Sequence, residues 1–105
     1  MINPSLEVSR EAIVEFCQRH RIRRLSLFGS AVRADFGPES DVDVLVEPAE
    51  DAEPGLFEMV SMEEELREIF GRDVDLVTRD AVEQSRNYIR RRHILADLEP
   101  VYVAG

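Results

Sequence analysis

Two aspartates one valine apart, Asp41-Val42-Asp43, open the alternating run Asp-Val-Asp-Val-Leu-Val that ends at Val46. Ten residues before them stands Gly29-Ser30. Alternate side chains of a strand share a face, so Asp41 and Asp43 point the same way, with Cα atoms about 7 Å apart. Val42, Val44 and Val46 line the opposite face, and Leu45 shares the acidic one. The acidic face therefore turns apolar one step beyond Asp43, which puts the aspartates at the strand's entrance. Two carboxylates this close repel where water is scarce, and one takes up a proton unless a cation joins them. Magnesium prefers oxygen ligands and commonly takes one or two carboxylates together with substrate phosphates. The plainer alternative is a solvated strand end whose aspartates cap the turn at Ser40.

A second acidic pair follows in Asp73-Val74-Asp75-Leu76-Val77. Asp75 lies between two apolar residues and is fixed inside this segment, whereas Asp73 follows Arg72 at its open end and reads as a surface residue. If the two acidic strands pair, Asp41, Asp43 and Asp75 could hold two metal ions in the clamp used for in-line phosphoryl or nucleotidyl transfer. A carboxylate would accept the proton of the attacking hydroxyl. Gly29 lets the backbone approach a ligand closely. Ser30 caps a short helix through Ala31 to Ala34, whose free amides favour an anion and whose cap adds a hydroxyl. This corner would hold the terminal phosphates of a nucleoside triphosphate.

These residues need elements to position them. Asn3-Pro4 and Ser9 are two candidate helix starts, and Val8, Ala12, Ile13, Phe16 and Cys17 share one helical face ending near His20. Arg24 to Phe28 reads as a first strand, and Phe36 to Ser40 as a turn. Asp41 to Val46 is the second strand, and Glu47 to Gly55 an acidic, proline-containing, solvated loop. Met59, Met62, Leu66, Ile69 and Phe70 repeat at helical spacing before Gly71, a helix stop. Asp73 to Val77 is the third strand, Ser85 to Ala96 the last helix, and Val101 to Val103 a terminal strand or docked tail. This order implies an α/β (α+β) fold, with a small mixed β-sheet flanked by helices. The relative direction of the first two strands is left open by their spacing.

The chain of 105 residues predicts one domain, 1–105. A formal net charge of −9 argues against a protein that tracks along nucleic acid, and no direct sequence-specific nucleic-acid binding is expected. It leaves room for a nucleotide brought in by a metal ion, and for a basic partner. No apolar run approaches the roughly 20 residues of a membrane span, so no membrane association is expected. The N-terminus lacks a secretory pattern, and Cys17 is the single cysteine, so a reducing cytoplasm is the expected setting and Cys17 reads as core filler. Arg86, Arg90, Arg91 and Arg92 form a basic patch, read as a solvated helix face, with phosphate or carboxylate recognition as the alternative. Arg33 reads as an ion-pair partner of Asp35 or Glu39, with a phosphate contact as the alternative. His20 and His93 lack ligand spacing and are given no catalytic role.

Gly29-Ser30, ten residues, then Asp41-Val42-Asp43 resembles the G-S-x₁₀-D-x-D signature of the polymerase-β-like nucleotidyltransferase superfamily. The chain is most similar to its minimal members, the MNT proteins. The resemblance runs from the first helix through Arg23-Arg-Leu-Ser-Leu-Phe-Gly-Ser30 and Asp41 to Val46, as far as Gly71-Arg-Asp-Val-Asp-Leu-Val77. It implies that Asp41 and Asp43 bind metal, that Asp75 is the third acid, and that Gly29 and Ser30 contact the nucleotide. One departure is Val32-Arg33-Ala34 where the family reads Ala-Arg-Gly, which bears on the shape of that turn.

The resemblance further implies a Mg²⁺-dependent enzyme, with two ions, that transfers AMP from ATP. The acceptor would be a tyrosine hydroxyl of a HEPN-type toxin encoded nearby, with the chain acting as antitoxin in a hetero-oligomer. The chain has no room for a domain that holds the acceptor, so the acceptor is expected on another macromolecule. Two other readings are a non-catalytic module that neutralises its partner by contact, and the catalytic subunit of a small-molecule, antibiotic-type nucleotidyltransferase.

Overall fold

Ser9 starts the first helix, α1 (Arg10–Arg19), with its hydroxyl accepting the Ala12 N–H at 3.4 Å. The computed structural model describes Leu6, residues 8–33, Gly37 and residues 40–104. The Asn3-Pro4 start, the residues of the Phe36–Ser40 turn other than Gly37 and Ser40, and the Asp35 and Glu39 partners of Arg33 lie outside the described residues. After α1 come β1 (Ile22–Phe28), a single 3₁₀ turn (Gly29–Val32), β2 (Val42–Pro48), α2 (Leu56–Phe70), β3 (Val74–Thr78), α3 (Arg79–Glu83), α4 (Tyr88–Asp97) and β4 (Glu99–Val103). The strands form one mixed sheet in the order β3-β2-β1-β4. β1 runs antiparallel to β2 and β4, while β2 and β3 are parallel. A parallel pair needs a long crossover, and α2 supplies it. The expected α/β (α+β) class with a mixed sheet flanked by helices is the observed one.

The two faces of the sheet do different work. Leu25, Leu27, Val42, Val44, Val46, Val74 and Leu76 pack against Ile13, Phe16 and Cys17 of α1 and Met62, Leu66 and Phe70 of α2. On the other face Phe28 and Leu45 pack with Val82 of α3 and Ile94 of α4. Asp43, Leu45 and Glu47 share that second face by strand alternation, so its apolar middle is bracketed by acids at both ends. Gly71 ends α2 in the left-handed region at φ 66°, its N–H returning to the Arg67 carbonyl at 2.8 Å. Burial pushes the Cys17 thiol up to about 12, as befits a core residue.

Three boundaries differ from the sequence expectation. The last helix, expected from Ser85, begins at Tyr88 as α4, capped by Asn87 through the Arg90 N–H at 3.0 Å, and an unexpected short helix precedes it, α3, capped by Thr78 through the Ala81 N–H at 3.2 Å. Ser30 is not a cap, because the 3₁₀ turn begins at Gly29, two residues before the expected Ala31, with Phe28 in the cap position and no side-chain cap bond. Glu47 is not a loop residue; it lies in β2 at 6% exposure. A buried carboxylate must be compensated, and Arg23 at 3.4 Å, Arg79 at 3.6 Å and Arg24 at 3.8 Å surround it. The composition of the segment marked a loop, but the extra strand residues follow from pairing with β1, where Glu47 meets Arg24 and Pro48 meets Ile22.

Because Leu66 is fully buried between α2 and the sheet, Leu66→Ala should lower the free energy of unfolding by about 3 kcal/mol in urea titrations. Phe57, 91% exposed on the same helix, should change it by less than about 0.5 kcal/mol when replaced by alanine.

Candidate active site

β2 and β3 carry the acids. Their parallel register sets Asp43 directly beside Asp75, and Val42 beside Val74. Asp43 is half-buried, whereas Asp75 is exposed at the same level of the sheet. Asp41 stands one residue before β2, exposed. Its approach is tied down by Arg72, whose guanidinium donates to the carbonyls of Gly37 at 2.7 Å and Ser40 at 3.1 Å, and by the Val42 N–H bonded to the Asp73 carbonyl at 2.9 Å. The turn at Ser40 closes on its own hydroxyl, which accepts the Gly37 N–H at 3.0 Å, so the aspartates are not needed as its caps. Asp73 is a surface residue, 82% exposed and 4.0 Å from Arg67.

On the other side of Asp43 lies β1, where Phe28 is its register partner and Gly29 the next residue. Gly29 has φ +67°. A Cβ built there would fall 2.3 Å from Asp43 Oδ2, so the carboxylate occupies the space a side chain at 29 would need. Both the left-handed backbone and the close approach demand glycine. The sequence reading assigned that freedom to a ligand; in the folded chain its nearest beneficiary is Asp43 itself. Ser30 follows, half-buried, with its carbonyl accepting the Arg33 N–H at 3.0 Å.

Burial, first, and then the charges of Asp75 and Asp41 raise the Asp43 carboxyl to about 6, against the opposing pull of Arg33 and Arg90. That crowding is the signature of a site short of positive charge. The donors are all carboxylate oxygens, which suit a hard divalent ion such as magnesium. The residues thus fit the metal class expected from the sequence. Among the described residues, however, no three acidic side chains already converge on one point. Asp43 and Asp75 are brought side by side, and Asp41 is coupled to Asp43 through its charge.

One wall was not anticipated. An open cavity of about 210 Å³ over Gly29 and Asp43 is bordered by Arg33 and by Arg90, His93, Ile94 and Asp97 of α4. The four α4 positions are spaced i, i+3, i+4 and i+7, which is one helical face. Ile94 is buried against the sheet, and Arg90 and His93 stand exposed at the rim of the cavity beside it. Asp97 pairs with Arg33 at 3.7 Å. The expected solvated patch is therefore divided. Arg90 lines the cavity, and Arg91 donates to the Glu83 carbonyl at 3.0 Å and lies 5.4 Å from the Tyr88 ring centre. Arg86, Arg90 and Arg92 are all exposed, as a solvated face requires, and Arg90 alone of these three also borders the cavity. The spacing was present in the sequence, but only packing says which face looks inward. His20, by contrast, pairs with Glu65 against the Phe16 ring, a structural role far along the chain from the acids.

The nucleotidyltransferase domain family matches residues 9–96, a stretch that takes in every candidate site residue. The protein adenylyltransferase MntA of Thermococcus cleftensis is 37% identical over 68 residues, 65% of this chain and 67% of its own length. Among solved structures, a toxin–antitoxin complex with AMP-PNP superposes with a TM-score of 0.68 at 16% identity, covering 92% of this chain and 75% of that one. A complex of tri-AMPylated Shewanella oneidensis HEPN toxin with an MNT antitoxin gives 0.59 at 15% identity, covering 90% and 70%. At these identities the two structures speak to the fold.

Two outcomes follow from the geometry. A carboxyl held at about 6 against an ordinary 3.8 favours the folded state when protonated. That contribution is complete below the ordinary value and is lost as pH rises through about 6. Asp43→Asn should therefore stabilise the metal-free protein at pH 8 by on the order of 1 kcal/mol, allowing for solvent screening, and leave it nearly unchanged at pH 3.5; thermal melts at both pH values check this. Gly29→Ala should cost at least about 1 kcal/mol in the same melts, because it forces an L-residue to a positive φ and displaces the Asp43 carboxylate.

Proposed function

We propose that this chain, which belongs to the nucleotidyltransferase domain family, transfers AMP from ATP to a tyrosine hydroxyl on a partner protein, a HEPN-type toxin, and so acts as its antitoxin. Residues 1–105 would serve as a single minimal catalytic domain, in the cytoplasm, in complex with that partner. The observation that carries the reading is Asp43 set beside Asp75 by the β2–β3 register and seated in the Cβ space of Gly29. The adenylyltransferase name of the Thermococcus relative, together with the AMPylated HEPN toxin and the AMP-PNP complex among the structural matches, supports the choice of nucleotide and acceptor.

In this reading Gly29 and Ser30 grip the triphosphate with their backbone and hydroxyl groups. Asp41, Asp43 and Asp75 would hold magnesium, two ions in the fullest case, and the chemistry such ions supply is neutralisation of phosphate charge and acidification of the attacking hydroxyl. The acceptor oxygen attacks the α-phosphorus, a new P–O bond forms, and the bond to the β-phosphate oxygen breaks. Pyrophosphate leaves, and the hydroxyl proton passes to a carboxylate of the trio. An acceptor supplied by a partner protein suits a cavity over Asp43 of only about 210 Å³.

A contact-only antitoxin is the second reading, favoured by Leu56, Phe57 and Val60, which are 77%, 91% and 50% exposed along one side of α2. The two readings separate cleanly. Incubation with Mg-ATP and the toxin encoded beside it should add whole AMP units to the toxin in intact-mass spectra. Asp43→Ala and Asp75→Ala should slow that addition by at least about 10³-fold, the loss of several kcal/mol of charge stabilisation. An unmodified toxin that the Asp43→Ala variant still silences would favour contact alone.

A further inference from the structure

The inward face of α4 has no part in the chemistry derived so far. Arg90 lies on it, over Asp43, in the same cavity as Gly29. Its neighbour Arg91 is held by the Glu83 carbonyl at 3.0 Å and the Tyr88 ring, so it ties α4 to α3. Arg90 forms no ion pair among the described residues, yet its charge reaches Asp43. Its place in the first turn of α4 is fixed by the Asn87 cap, and one turn on Ile94 anchors the helix to the sheet. The guanidinium is thus presented by a braced helix at the mouth of a site otherwise dominated by carboxylates. A polyanion held at Gly29 would lie within the same 210 Å³ space.

We propose that Arg90 is a polyphosphate-binding residue of this site, set on α4 opposite the Gly29–Ser30 corner, with His93 beside it on the same helical face. A triphosphate is the fitting ligand because the planar guanidinium offers paired donors to phosphate oxygens. It also supplies a fixed positive charge that the carboxylates cannot. This assignment rests on the nucleotidyltransferase reading, and it adds a contact that survives without the acceptor protein. Bound pyrophosphate or tripolyphosphate would use the same donors, whereas AMP, lacking the β- and γ-phosphates, would use them far less.

Calorimetric titration of the purified chain with Mg-ATP, tripolyphosphate and AMP tests it. Arg90→Ala should weaken Mg-ATP and tripolyphosphate by tenfold or more while AMP affinity changes less than about twofold. Arg90→Lys should recover part of the loss, since it restores the charge but not the fork. Arg92→Ala, which removes an equally exposed arginine that does not line this cavity, should bind as the parent chain does. In steady-state AMP transfer the Arg90→Ala defect should appear mainly in the KM for ATP. Equal ATP affinity in the parent chain and Arg90→Ala would overturn the role of Arg90 and leave the site intact. No ATP binding by the parent chain would overturn the reading of the site itself and the proposal with it.

Discussion

The site depends on one crowded contact: the Asp43 carboxylate occupies the volume where any side chain at position 29 would be. Everything near it follows from holding an anion there. The backbone at Gly29 must turn left-handed, so β1 has to end in glycine at the level of Asp43. Asp43 must then share its surroundings with Asp75 on one side and the end of β1 on the other. The cost is visible in a carboxyl driven up to about 6 by burial and by its acidic neighbours. A fold kept for stability alone would gain by removing that charge. A half-buried carboxyl in a corner short of positive charge makes Asp43 a candidate functional residue.

The sheet makes the corner possible by separating its faces. One face is wholly apolar and locks α1 and α2 to the strands. The other is apolar only in the middle, where Phe28, Leu45, Val82 and Ile94 meet, and it is charged at both ends. At the far end Glu47 is buried among Arg23, Arg24 and Arg79. At the near end Asp43 has only the distant help of Arg33 and Arg90. The same residue chemistry, a carboxylate on β2, is thus compensated internally at one end and left for a ligand to compensate at the other. That asymmetry distinguishes a structural acid from one suited to binding metal and phosphate.

α4 gives the near end its shape. Apolar contacts through Ile94 and Leu95 set the helix azimuth, so that Arg90, His93 and Asp97 border the cavity while Ile89 and Tyr88 lie 68% and 59% exposed outside it.

The amino-acid sequence by itself determined the ingredients and most of their placement. Alternation in Asp41–Val46 placed two acids on one strand face, Gly29-Ser30 marked the turn after β1, and helical spacing in Met59–Phe70 predicted the helix that the fold uses as the crossover between parallel β2 and β3. These are local periodicities, carried by residues a few positions apart. The tertiary structure decided what depends on distant segments meeting. It set Asp43 against both Asp75 and Gly29, buried Glu47 in a strand where composition marked a loop, and brought Arg90 and His93, both still exposed, to the rim of the cavity over Asp43. Strand register and helix azimuth are settled by packing between elements far apart in the chain, and no local pattern encodes them.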